Sequence, residues 1–169
     1  MPRRGQRAGE KGGELTGPNP TDRGKPGSKY HILVDAAGVP LAALLSAANT
    51  HDSKLFEPLL DAAPAVKGPG RGRPRRRPAK LHADKGYDIP RCRAYLRQRG
   101  ITARIARRGV ESTERLGRHR WVVERSVSWL LRYKRLALRY DRSELTMTAL
   151  LTLACAHLCH KILTRGTGL

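Results

Sequence analysis

The stretch AKLHADKGYDIPRCRAYLRQRGITARIA, residues 79–106, decides the fold. AKLHAD predicts a short strand that ends on an acid, Asp84. Pro90 suits the first turn of a helix, where its missing N–H is not needed. Asp88 is the expected cap, and Gly100 closes the helix. ITARIA predicts a second strand. Strand, helix, strand in close succession is a crossover unit, which implies an α/β protein with a parallel strand pair.

Upstream, KYHILV (29–34), DAAG (35–38) and VPLAALLSA (39–47) place two β-prone runs around a turn, so a hairpin is expected. NTHDSKLFEPLLDAA (49–63) predicts a helix. Asp52 is its expected cap, and Leu55, Phe56, Leu59 and Leu60 form its apolar stripe. Pro58 interrupts that pattern. Downstream, residues 114–136 predict a long helix or a helix pair. Residues 143–163 predict a final helix capped by Ser143. The antiparallel hairpin followed by crossover units implies a mixed sheet with flanking helices.

Two segments lack any hydrophobic period. Residues 1–28 are rich in Gly, Pro, Lys and Arg and are expected as an extended basic arm, leaving 29–165 as the folded domain. Residues 67–80, KGPGRGRPRRRPAK, hold seven basic residues and no acid, and are expected as a flexible basic loop. Arg71, Arg73, Arg75, Arg76 and Arg77 are its candidate contacts to a DNA backbone. A merely solvated linker is the alternative.

The 169 residues include 34 Lys plus Arg against 14 Asp plus Glu, a formal net charge of +20. Such a balance points to a polyanionic partner, usually nucleic acid, bound through counterion release. A ribosome-associated or chromatin-type binder has the same composition. Cys92, Cys155 and Cys159 give no disulfide framework and suit a reducing cytoplasm. The most apolar run, Leu145 to Cys159, is too short to span a bilayer and reads as a core helix.

Two carboxylates stand where chemistry could use them. Asp84 lies at the C-terminal end of a strand, where ligands gather in open α/β sheets. Glu124 lies on a helix whose Trp121, Val123, Val127 and Leu130 are expected to face the core. A strand end and a following helix can present two hard oxygen donors to shared divalent cations. Alternatively, Asp84 is a turn residue and Glu124 pairs with Arg120 one helical turn away.

Three strings carry a resemblance: GGELTGPNPTDRGKPGSKYHILVDAAGVPLA (12–42), LHADKGYD (81–88) and ESTERLGRHRWVVERSVSWLLRYKRLALRY (111–140). In this order they resemble the insertion-sequence-five family of DDE transposases, from about Lys11 to Lys161. The resemblance implies a ribonuclease-H-like fold with Asp84 and Glu124 as catalytic, metal-holding carboxylates. It implies two Mg²⁺ (or Mn²⁺) ions and double-stranded DNA as substrate, both transposon end and target. The implied reaction is cleavage and strand transfer in a bacterial cytoplasm, away from any membrane.

Arg120 matches the Arg of the family's Tyr-x2-Arg-x3-Glu-x6-Lys signature. Gly117 replaces the Tyr and Leu131 the Lys, with Arg132 or Lys134 placed to substitute as DNA contacts. The family's first Asp precedes the GGELTGPNP string, and only Glu10 stands there. The first strand is therefore expected to be missing. The chain then reads as a truncated or downstream-frame fragment, acting as a homodimer or with an upstream-frame product. An inactive DNA-binding remnant or inhibitor is the alternative.

Smaller signals have plainer readings. His82 shares a strand face with Asp84 and is expected in the core or behind the site. Cys155 and Cys159 are expected to be buried and inert rather than zinc ligands. Trp121 and Trp129 are expected in the core.

Overall fold

The computed structural model describes residues 13–68, 70–107 and 117–166, with backbone alone at 117–120 and 165–166. The hairpin is present: β2 (Pro26–Val34) runs antiparallel to β3 (Pro40–Ala47). Asp35 builds its turn. One carboxylate oxygen accepts from the N–H of Ala37 at 2.8 Å and of Val39 at 2.9 Å, an arrangement that Asp makes well. Gly38 sits at φ 90°, where a side chain would be strained. The short β1 (Gly17–Pro18) pairs with the start of β2. Within the stretch expected as an extended arm, residues 13–28 thus fold back on the hairpin, and residues 1–12 lie outside the described residues.

The crossover unit is also present. β4 (Lys80–Ala83) and β5 (Thr102–Ile105) pair in parallel on either side of α2 (Pro90–Gln98). Pro90 opens α2 and Gly100 leaves it at φ 64°. Asp88 does not cap it. Ile89 is the cap position, and Asp88 instead accepts a 2.6 Å bond from Arg93, a stronger charge-assisted partner. A 3-10 turn at Asp52–Lys54 precedes α1 (Phe56–Asp61). His51 caps that turn, correcting the expectation for Asp52, which pairs with Lys29 at 3.0 Å. Pro58 falls in the first turn of α1, where an N–H has no intrahelical partner. The long helical stretch is a pair, α3 (Gly117–Leu130) and α4 (Lys134–Ala137), followed by α5 (Glu144–Gly166).

The α/β class holds, but the strands do not join into one mixed sheet. β1, β2 and β3 form one sheet and β4 and β5 another. Two apolar clusters follow that division. Leu45 and Leu130 meet Leu136 and the α5 stripe Met147, Leu151, Ala154 and Leu158. Phe56 and Leu60 meet Leu81, Cys92, Leu96, Ile101 and Ile105. By length and composition α5 is long and apolar enough to cross a bilayer, contrary to the shorter run read from sequence. One stripe of it, Met147, Leu151, Ala154 and Leu158, is buried and packs with β3, while Leu145, Leu153 and Leu163 are exposed, so only part of its apolar surface lies in the core.

α3 is tied to the hairpin turn. Ser126 Oγ donates to the Gly38 carbonyl at 2.9 Å. A Cβ at Gly38 would come within 3.0 Å of that hydroxyl and 3.1 Å of Arg125 Nη2. Gly38→Ala is therefore expected to lower stability by about 1–3 kcal/mol in urea denaturation, through the positive φ and the displaced helix. A variant of unchanged midpoint would show that the turn does not hold α3.

Candidate functional site

Asp84 follows the last residue of β4, where the strand ladder stops. Its Oδ1 accepts from the Lys85 N–H at 2.8 Å and caps the 3-10 turn Lys85–Tyr87. Its second oxygen makes no hydrogen bond among the described residues, and the side chain is exposed. Behind it stands Tyr87, whose ring centroid lies 5.3 Å from that of Phe56. Burial pushes the Tyr87 phenol up to about 12, and the carboxylates of Asp52 and Asp84 add to the rise. Both acids therefore act on one phenol. Sequence reasoning saw only a helix cap in Asp52. The signal it lacked was the fold-back that brings the turn after β3 beside the turn after β4.

Glu124 is exposed on α3. The buried stripe of that helix is Val122, Ser126 and Leu130, so Leu130 faces the core as expected while Val122 and Ser126 take the places expected for Trp121 and Val123. Val123 is 38% and Trp121 51% exposed, so neither fills the core. Trp121 has another task. The Arg125 guanidinium lies 4.5 Å from its ring and 4.8 Å from that of Trp129. One turn before and one turn after Arg125, the two indoles hold the cation between them. Arg125 Nη2 then donates to the Ala37 carbonyl at 2.7 Å, while its Nε is buried without a partner. The rotation of α3, and so the direction of Glu124, is fixed against the hairpin turn.

A cleft of about 750 Å³ separates the two sheets. Val123, beside Glu124, and His82, two residues before Asp84, both line it. His82 is otherwise exposed, not in the core. Arg73, Arg75, Arg76 and Arg77 line it from the basic segment. That segment is exposed; among the described residues an antiparallel bridge of Val66 with Arg75, through two 2.9 Å bonds, ties it near its start, and its end enters β4, with the Ala79 carbonyl accepting from Thr102 N–H at 3.0 Å. Arg71 is exposed on the same segment, Arg132 in the turn after α3, and Lys134 at the start of α4. The Arg120 side chain lies outside the described residues.

Hard carboxylate oxygens suit Mg²⁺ or Mn²⁺. Among the described residues, however, no three His, Cys, Asp or Glu side chains stand together as an ion site. Asp84 and Glu124 are at most two donors of such a site. Burial raises the Cys155 thiol to about 11, with the neighbouring Cys159 adding to it, and also raises Cys159. Both are half-buried, and at ordinary pH thiols so raised are protonated and unreactive.

A basic α/β domain with an exposed carboxylate at a strand end and arginines along its cleft suits a polyanionic partner. Comparison with known proteins narrows that reading. Residues 2–159 match the transposase DDE domain family, and the chain belongs to it. It is 48% identical over 151 residues to a Burkholderia cepacia protein named "Putative transposase for insertion sequence element IS402", covering 89% of this chain and 71% of that protein. No solved structure matches. The family implies a role in transposition with DNA as substrate, and its members generally use divalent metal ions.

If the arginines of 67–80 touch phosphate, deleting residues 70–74 and joining the bridge ends should flatten the slope of log affinity against log salt. Each lost phosphate contact removes about 0.9 from that slope on duplex DNA. An unchanged slope would show a solvated segment with no DNA contact.

Proposed function

We propose that this chain carries the DNA cleavage and strand-transfer site of an insertion-sequence transposase of the insertion-sequence-five kind, with Asp84 and Glu124 as metal-holding carboxylates. The observation that carries the reading is Asp84. It is an exposed carboxylate at the C-terminal end of β4 with one oxygen uncommitted, in a chain that matches the family along nearly its whole length. Glu124 rides on a helix whose rotation Arg125 and Ser126 fix. Arg132, Lys134 and the basic segment supply positive charge for the DNA backbone. The reading implies a ribonuclease-H-like arrangement in which β2, β3, β4 and β5 are four of the strands. The described residues do not by themselves complete an ion site, so no reaction step is drawn through the metal.

A second reading is a protein that binds DNA without cleaving it and restrains an active transposase through mixed assemblies. Excision of a mini-element bearing this element's own ends, in cells supplying the locus in trans, separates the two. The first reading expects excision that Asp84→Ala and Glu124→Ala each lower at least a hundredfold, with DNA binding retained. Excision unaffected by Asp84→Ala would remove Asp84 from the chemistry. No excision from the unaltered locus, with DNA binding intact, would assign the second reading.

A further inference from the structure

α5 buries one stripe and leaves the opposite one bare. Met147, Leu151, Ala154 and Leu158 pack into the first cluster, against β3. Half a turn round the helix, at about 100° per residue, Leu145, Ala149, Thr152, Leu153, Ala156 and His160 are all exposed. Leu145 is 78% and Leu153 66% exposed. The Thr152 hydroxyl donates to the Thr148 carbonyl at 2.8 Å, so its polar atom is satisfied within the helix.

From Leu145 to His160 the helix carries no Asp, Glu, Lys or Arg, in a chain whose formal net charge is +20. Two copies of such a chain repel each other over most of their surface. A face without charge is where they can meet, and exposed leucines on it gain by leaving water.

The face also matches itself. Turned end for end about the midpoint between Thr152 and Leu153, the helix lays Leu145 on His160, Ala149 on Ala156 and Thr152 on Leu153. A surface that is its own complement under a two-fold rotation is what a contact between identical copies needs. The same rotation brings the end bearing the exposed Glu144 beside the end bearing the exposed Lys161 of the other copy. Opposite charges then share each end, and the two helix dipoles oppose. A parallel pair would set like charges and like dipole ends together.

We propose that the bare face of α5 joins two copies of this chain, antiparallel about a dyad beside Thr152 and Leu153. One helix face, roughly 24 Å long at 1.5 Å per residue, covers less than the ~800 Å² per partner of a standard interface, so the dimer is weak and reversible. The shared positive charge weakens it further at low salt, and screening relieves that repulsion. Self-association therefore tightens as salt rises, opposite to the trend for DNA binding.

Sedimentation equilibrium of the whole chain, without DNA or metal, tests this. A monomer–dimer equilibrium is expected, with a dissociation constant that falls at least threefold between about 0.1 and 0.5 M NaCl. Leu153→Glu, Ala149→Glu and Ala156→Lys should each weaken the dimer at least tenfold, with far-UV circular dichroism unchanged because the three positions are exposed. The double variant A149E/A156K should restore it, since each new acid meets a new base across the dyad. A chain that stays monomeric at every salt concentration, a dimer indifferent to L153E and A149E, or a double variant that stays monomeric would each overturn the proposal. So would a monomer that cosediments with anionic phospholipid vesicles and loses this in L153E, which would assign the face to a lipid surface. The assay reads neither excision nor ion binding, so its failure leaves the role of Asp84 standing, and the loss of that role leaves the dimer standing.

Discussion

Among the described residues, the backbone of β2 between Ser28 and Val34 bonds to β3 alone, and that of β4 between Lys80 and Ala83 to β5 alone. An extended backbone carries donors and acceptors on both sides, and each must find a partner in protein or water. Because these two edges do not meet, the apolar side chains gather into two clusters rather than one. α1 joins the halves by touching both the hairpin and α2. Leu33, at the end of β2, reaches the second cluster. The cleft, its apolar walls and the arginines along it all follow from the same unpaired edges.

Against that open centre, the hold of α3 on the hairpin is local and specific. The Ser126–Gly38 bond is worth about 1 kcal/mol net. Arg125 adds a bond to Ala37 and two ring contacts, each worth about 0.5–1 kcal/mol near a surface. The helix that carries Glu124 is therefore held by contacts within the chain itself. At Asp84 one carboxylate oxygen likewise fixes the turn that follows β4.

Much of this was legible in the sequence. Pro90 and Gly100 bounded α2, Asp35 and Gly38 announced the hairpin turn, and LHAD placed an acid at a strand end. Each is a local signal, carried by a side chain's own backbone preference. The errors came from contacts far apart in the chain. Trp121 reads as core because it is large and apolar, yet it stacks on Arg125. Asp88 reads as a cap because it precedes a proline, yet Arg93 binds it. Asp52 reads as a cap too, and only folding sets it near the Tyr87 that Asp84 also touches. The division into two sheets had no local signal, since strand neighbours are chosen by edges and not by sequence order.

The proposed function requires Asp84 and Glu124 to hold one ion between them. Mn²⁺ titration of the isotopically labelled chain, followed by paramagnetic broadening of its amide signals, reads this directly. Even weak binding by two hard donors suffices for broadening. The amides of Asp84 and Lys85 and those of Val123 to Arg125 are expected to broaden together at the same ion concentration, and Asp84→Asn to abolish both. Broadening confined to one group, or centred on His51 and Asp52 with Glu124 untouched, would contradict a shared site.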